Sequence, residues 1–566
     1  MSSGSPAASE GGVTVPKGRR LGCILCISVV AALGLVSGCA GRTAAVKTDP
    51  DTIRVELRRA RTAEDRERLL QPRRLSSIGS VAKVSGVEPI PCTGIGLVTG
   101  LGQNGAEKSN IDRSLKDDVK KMLNVEEGRT LLEARDLLES RDSSIVQVDA
   151  EIPPGAAAGT PIDVYVRPID SAISLQNGYL HKTALKDFAV TKTGEVIYRQ
   201  TIARAEGAVA IAGTGPGSVV ANQEGGRAGV VFDGARYEDE RTLLVIVPKS
   251  RTAAATEVLI EYLVNQRFAN TGRAPGTPPI NYATAMPNST VVVRIPSIYR
   301  RYVQRFADAI REIKGAYYYG APPREQLEKM VARLSKGTTA DKYQASVELE
   351  AVGAAAAPYL ESALDKGDEW TALYAAQALS YLDNPRGAER ICALAGSADE
   401  SVRLEAVKFA GQLAGRRAVQ VLRERLFDPS SRVALEAAGA LVAAGGDAAA
   451  RIRLSQFDIV AVPGTPGGLL VKTTGRPMIV VTGLGTRLTG SVAIHVAGIG
   501  IGSIDDEHVG IVTGEAPEIA SMEVEASVDS ILAALARINP PFDTARKVIQ
   551  TLEDSGNIPY KITWLD

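Results

Sequence analysis

From residue 75 to about residue 320, short runs of β-branched and other apolar residues alternate with glycine-rich turns. Runs at 78–84, 94–98, 144–151 and 162–166 predict strands. In the third, Ile145, Gln147, Asp149 and Glu151 alternate with Val146, Val148, Ala150 and Ile152, the period-two pattern of a half-buried strand. Apolar residues at helical spacing predict helices over 111–123, 252–268 and 299–313, the second carrying Val258, Leu259, Tyr262 and Leu263. The elements do not repeat as βαβ units, so the region reads as α+β. The same style returns after residue 450, with strands at 457–462, 469–472 and 478–482. The tail predicts strand 522–526, Ser527 as a helix cap, and helix 528–538 stopped by Pro540 and Pro541. Asp543 then caps a second helix to 554, and Gly556 ends it before strand 560–565.

Between about 323 and 450 the chain changes to alanine- and leucine-rich helix. Ala345, Ala376, Ala406 and Ala437 recur at intervals of 31, 30 and 31, in the contexts YQAS, YAAQ, LEAV and LEAA. Leu360, Ile391 and Leu422 repeat every 31 residues, and Asn384 with Pro385 and Asp428 with Pro429 mark turns. Helix pairs of this period resemble short HEAT-type repeats, in which small residues let neighbours stack over a continuous core. Such a solenoid is expected to fold alone. As an insertion, its ends near Ala321 and Leu454 are expected to be neighbours in space, so that it can be excised at modest loop-closure cost.

The N-terminus predicts export. Lys17, Arg19 and Arg20 precede an apolar run at 21–36, the length of a signal-peptide core and short for a membrane span. The run ends in VSGC at 36–39, which resembles a bacterial lipobox and makes Cys39 the lipidated first residue of the mature chain. Ala40 is not the aspartate that commonly retains lipoproteins at the inner membrane, so an outer-membrane anchor is expected. The polar residues before the run are long for such a signal, which places its start nearer Val15. Residues 40–73, rich in charge, read as a tether that can hold one solvated helix.

At 566 residues the chain needs several domains. Lysine plus arginine equals aspartate plus glutamate, 65 each, which removes the bulk electrostatic case for a nucleic-acid partner. Export leaves Cys92 and Cys392, two isolated thiols that make neither a disulfide framework nor a metal site. Enzyme-like strings are few. GLGQNG at 100–105 has the glycine spacing of a dinucleotide loop, but five polar residues separate it from the next helix. Its candidate acids, Glu126 and Glu127, follow that helix in a loop, so a tight surface turn is the expectation. GTGPG at 213–217 lacks a phosphate-loop lysine and reads as a connector. His181, His495 and His508 show no metal-ligand spacing, and DDEH at 505–508 reads as an exposed turn. No acid, base and nucleophile assemble, so the expectation is no enzyme, no cofactor and no metal.

One stretch holds RLSSIGSVAKVSGV at 74–87, TGIGLVTGLG at 93–102, VDAEIPPG at 148–155, GTPIDVYV at 159–166, DSAISLQNGYL at 170–180 and TALK at 183–186, and a second is the tail from Ser527 through Gly556. In sequence and in order, both are similar to the flagellar P-ring protein family. The likeness covers 75–200 and 520–566 well and 240–313 loosely. The chain departs from the family in its lipobox, in its helical insert and in Val87 followed by Glu88, where the family has arginine.

The resemblance implies a P-ring-like α+β body interrupted by an all-α HEAT-like solenoid. The divisions are a signal at 1–39, the tether at 40–73, P-ring-like regions at 74–320 and 453–566, and repeats at 321–452. It further implies a structural subunit that homo-oligomerises around the flagellar rod in the periplasm, with the rod and L-ring proteins as partners and the membrane held through Cys39. The alternative is a non-flagellar envelope lipoprotein whose repeats hold a protein partner. Mass spectrometry of the mature N-terminus is expected to show lipidated Cys39 as residue one; an unmodified Cys39, or cleavage elsewhere, removes the anchor.

Overall fold

The computed structural model describes residues 49–565 except 61, 108–110, 192, 212–226, 249–253, 272–275, 288, 414, 474, 515–519 and 561. The signal with Cys39 and the connector at 213–217 lie outside the described residues.

The chain opens with helices α1 (Pro50–Arg59) and α2 (Ala63–Leu70), then α3 (Ile78–Val81) and β1 (Lys83–Ser85). A single strand was expected at 78–84, but a capping box between Ser77 and Ser80 starts a helical turn first. Strand β2 (Ile90–Thr99) leads to α4 (Arg113–Glu127) and α5 (Leu131–Glu139), followed by β3 (Ser143–Ile152), β4 (Pro161–Pro168), β5 (Tyr179–Val190), β6 (Val196–Ala208), β7 (Ala210–Ile211) and β8 (Gly229–Tyr237). The strands run β4-β3-β2-β5-β6-β8, and β8 pairs back onto β4. Six antiparallel strands therefore close a barrel, which removes the open edges a sheet would otherwise expose. The period-two pattern of β3 resolves accordingly. Val146, Val148, Ala150 and Ile152 fill the barrel, while outward-pointing Ile145 is buried beneath α4 and α5. Helix α5 was not expected, although its capping box, Thr130 with Glu133, stands in the sequence.

Next come β9 (Thr242–Ile246), α6 (Ala254–Phe268), β10 (Ala283–Met286), β11 (Thr290–Arg294) and α7 (Val303–Glu312). Strands β1-β9-β11-β10 form an antiparallel sheet whose inner face joins the core of α6 and α7. The described part of the 40–73 tether is folded onto this body. Ile53 and Leu70 are buried in the same core, and Arg54 Nη2 donates to Glu261 Oε2 at 2.6 Å and to the Ala285 carbonyl at 2.8 Å. One apolar residue per turn, Ile53 then Leu57, is enough to seat so charged a helix when its arginine finds a partner.

The repeats comprise α8 (Arg324–Lys336), α9 (Thr339–Val352), α10 (Ala357–Lys366), α11 (Glu369–Tyr381), α12 (Pro385–Leu394), α13 (Glu400–Ala410), α14 (Arg416–Glu424) and α15 (Ser431–Ala444). The four periodic alanines fall on α9, α11, α13 and α15, and the Leu360 register falls on α10, α12 and α14. All seven are fully or almost fully buried.

The C-terminal part holds β12 (Ala450–Arg453), β13 (Asp458–Val462), β14 (Gly468–Lys472), β15 (Met478–Thr482), β16 (Ala493–Val496), β17 (Ile499–Ser503), β18 (His508–Thr513), β19 (Ala520–Glu525), α16 (Val528–Ile538), α17 (Phe542–Asp554) and β20 (Ile562–Leu565). The sheet β12-β13-β15-β14-β20 is apolar on both faces. Leu469, Val471, Ile479 and Val481 pack with α16 and α17, whereas Val460, Val462, Leu470 and Val480 join the core shared with the repeats. It thus covers the last repeat, where a Cβ on Gly468 would come within 2.2 Å of the Phe427 ring. Ser527 caps α16 as expected, but α17 begins after Pro541 and Asp543 lies inside its first turn.

The solenoid shares its core with the P-ring-like region, contrary to the expectation of an autonomous insert. Helix α7 meets the repeats in succession. Asp308 accepts from the Tyr343 hydroxyl of α9 at 2.9 Å. Arg305 donates to Glu350 of α9 at 2.9 Å and to Gln377 of α11 at 3.2 Å. Just before α7, Tyr302 lies 6.0 Å from Phe409 of α13, and Arg301 pairs with Glu436 of α15. The array therefore advances along α7 from its C-terminal to its N-terminal end. Ala321 leads into α8, the first helix of the array, and Leu454 follows β12 after its last helix, α15.

Arg305 and Glu350 are 5% and 0% exposed, so truncating one strands the other without solvent. Arg305→Ala is expected to cost about 3–5 kcal/mol in denaturant unfolding of the whole chain; a loss under about 1 kcal/mol contradicts the shared core.

Candidate functional site

The glycine-rich and acidic motifs of residues 74–186 are used to build the barrel. Glycines of TGIGLVTG lie where β5 crosses β2. A Cβ on Gly94 would stand 2.4 Å from the Ala184 carbonyl oxygen, and one on Gly96 would stand 2.5 Å from Thr183 Oγ1. Thr93 donates to Asp149 across the β2–β3 pair at 2.6 Å. In VDAEIPPG, a Cβ on Gly155 would overlap the Arg300 carbonyl, so the turn after β3 packs directly on the segment leading into α7. Asp163 of GTPIDVYV accepts the Asp233 amide at 2.7 Å. Asp170 of DSAISL accepts Ser144 Oγ at 2.6 Å and the Ile145 amide at 2.7 Å.

The GLGQNG turn holds a carboxylate of its own. Gly100 and Gly102, with φ of +82° and +58°, direct their amides at Asp142, the first at 3.2 Å and the second closer still. Those amides are the donors a pyrophosphate would need, and a fixed negative charge already occupies them. Gly105 allows the return, since a Cβ there would lie 2.0 Å from the Arg141 carbonyl. Glu126 and Glu127, expected in a loop, close the last turn of α4. Glu126 accepts from Arg204 at 2.6 Å.

Glu127 belongs to an arrangement that the sequence reading missed. His181 on β5 places Nε2 3.0 Å from Thr99 Oγ1 and Nδ1 3.0 Å from Glu127 Oε1. Burial alone would raise the Glu127 pKa, but hydrogen bonds from Arg129, the Lys182 amide and His181 outweigh it and hold the carboxyl below its usual range. Hydroxyl, imidazole and carboxylate in line have the connectivity of a nucleophile, base and orienting group. None of the three lines the cleft at Leu263 and Tyr317 or the one at Glu67 and Pro72. The chain of hydrogen bonds ties β2, β5 and α4 together. Neither residue spacing nor composition announces it, because Thr99, Glu127 and His181 are 28 and 54 residues apart in turn.

The remaining candidates are local. Asp505 accepts the amides of Glu507 and His508 at 2.8 and 2.6 Å and His508 Nδ1 at 3.0 Å, which holds its carboxyl low and raises the imidazole pKa. Cys92 and Cys392 are buried free thiols, and burial pushes the Cys92 pKa up to about 12. Among the described residues no group of three or more His, Cys, Asp or Glu could hold a metal ion, and no helix is long and apolar enough to cross a membrane.

A concentrated polar constellation lies at the joint between α7 and the repeats. Arg305 Nη2 lies 2.8 Å from Glu350 Oε2, while Tyr299 donates to Glu350 Oε1 at 2.6 Å. Burial works against the Arg305 charge, yet the Glu350 carboxylate outweighs it and leaves the guanidinium pKa above its ordinary value. The Tyr299 ring stacks on Tyr381 of α11 at 4.2 Å and 5°. A cleft of roughly 320 Å³ opens beside this joint, walled by Leu263, Arg267, Tyr317, Gly353 and Leu382.

Residues 77–317 match the flagellar P-ring protein family, and residues 357–446 match HEAT repeats. A flagellar P-ring protein of Fervidobacterium nodosum is 29% identical over 248 residues, covering 42% of this chain and 66% of its own. That of Desulfotalea psychrophila is 28% identical over 245 residues, covering 42% and 58%. That of Geobacter sulfurreducens is 35% identical over 109 residues, covering 19% and 28%. The chain thus spans less than two thirds of each relative. A solved complex of CpcE and CpcF of phycocyanin lyase from Nostoc sp. PCC7120 is similar over 21% of this chain and 79% of its own, at 19% identity and a TM-score of 0.19, too distant to carry an argument. The C-terminal tail, which the sequence reading also aligned with the P-ring family, lies outside the matched residues. What the match covers is α3, the barrel, the four-stranded sheet, α6 and α7 as one run, so residues 77–317 form a domain similar to flagellar P-ring proteins, joined in this chain to a block similar to HEAT repeats.

Proposed function

We propose that this chain is a structural subunit of a flagellar basal-body P-ring, homo-oligomerising around the rod in the periplasm to support rotation. The observation that carries the reading is the P-ring match over an uninterrupted run that includes both sheets and α7. The motif residues within that run support barrel closure and tight turns, the needs of a rigid ring subunit. Lipid on Cys39 would hold the assembly to the outer membrane, and the rod and L-ring proteins would be its neighbours. A ring of identical subunits uses head-to-tail contacts whose rotation closes.

The rival reading, an envelope lipoprotein whose repeats hold a partner protein, loses its most obvious docking surface. The helices α9, α11, α13 and α15 already face α7 of the same chain, or the segment leading into it. Deleting the whole chain is expected to abolish swimming, with growth intact and no periplasmic ring in purified basal bodies. Excising 321–452 is expected to be as damaging, since it uncovers Tyr299, Tyr302 and Arg305, and not milder as an autonomous insert would be. Normal motility with an intact ring after full deletion rejects the flagellar role.

A further inference from the structure

The β5–β6 ribbon runs on beyond its neighbours. Strand β2 pairs with β5 as far as Asp187, and β8 pairs with β6 only at residues 203–205. Residues 188–190 and 196–198 are therefore paired with each other alone. In that register Val190 opposes Val196 and Phe188 opposes Tyr198 on one face, with Ala189 opposite Ile197 on the other. Val190, Val196 and Tyr198 are 61%, 43% and 59% exposed. A two-stranded ribbon is marginal in water by itself, and an apolar one with open backbone edges is a surface that proteins normally cover.

The same chain leaves a second apolar face bare. In the sheet β1-β9-β11-β10, the side away from α6 presents Leu244, Ile246 and Met286, each more than a third exposed, around Val292. Lys83 stands opposite Ile246 in the register, and Glu195 lies at the turn of the ribbon. Both are exposed, and neither has an ion-pair partner among the described residues. Two different unpartnered apolar surfaces on one chain, carrying opposite unpaired charges, are what a head-to-tail contact uses: one toward each neighbour.

We propose that the ribbon of one copy seats its Phe188, Tyr198, Val190 and Val196 face on the Leu244, Ile246 and Met286 face of the next copy, with Glu195 reaching Lys83. This rests on the ring reading given above and names the surfaces that would close it.

The test uses the full chain in its native cells and after purification. Tyr198→Cys combined with Ile246→Cys in one chain is expected to give a ladder of disulfide-linked multimers on mild oxidation, and either substitution alone none. Val190→Asp with Val196→Asp, and separately Leu244→Asp with Ile246→Asp, are each expected to weaken assembly at least about ten-fold in sedimentation, with thermal melts close to wild type. Mixed together, those two variants are expected to form pairs and stop, because each keeps one working surface. A double-cysteine chain that still forms the ring but gives no ladder, or ribbon variants that assemble like wild type, overturns the inference and leaves the ring reading standing. A wild-type chain that stays monomeric in cells overturns both.

Discussion

The buried pair between Arg305 and Glu350 is the contact on which the rest of the arrangement depends. Glu350 lies on the second repeat helix and Arg305 on the last helix of the P-ring domain, and neither reaches water. Desolvating two charges is expensive, and it is offset only when every donor and acceptor is used. Here the carboxylate takes Tyr299 on one oxygen and Arg305 on the other, while Arg305 extends to Gln377 at 3.2 Å and Ser346 at 3.3 Å. The aromatic stack of Tyr299 on Tyr381 shields the pair from the side. Such a contact tolerates one register only, so α7 fixes where the repeats sit.

With that register set, the remaining surfaces follow. A solenoid has two ends that must be covered. The C-terminal sheet covers one, giving one face to the repeats and the other to α16 and α17. Arg451 and Arg453 then bind this sheet to the barrel through Asp233, and Arg476 through the ring of Phe232, so the chain closes on itself beyond the array. The insertion is in this sense a strut built between two parts of the molecule. The barrel protects its own edges by closure, while the β5–β6 ribbon projects beyond its neighbours.

Much of this was legible in the chain. Periodic alanines gave the repeat helices and the correct side of each, because a 31-residue spacing of buried small residues has few other causes. Ser527, helix 528–538 and strand 478–482 were readable from capping and β-branching alone. The motifs that gave the P-ring resemblance pointed to the right domain, and three of their glycines, Gly94, Gly96 and Gly155, proved to be close-approach positions. Three things were hidden for physical reasons. The helical turn at 78–81 depends on two serine side chains that outweigh a β-branched run. The folding of residues 50–70 depends on Arg54 meeting Glu261, a partner some 200 positions away. The groove that receives α7 is a tertiary fact, since an arginine in an amphipathic helix looks solvated until a carboxylate is brought beneath it.

The central claim is that P-ring domain and repeats are one cooperative body. Native-state hydrogen exchange measures it directly, through the opening free energies of α7 amides and of amides in α9 and α11. The account predicts that both sets open together, with the same free energy and the same denaturant dependence. Repeats that exchange through a separate, lower-energy opening while α7 stays protected would contradict it.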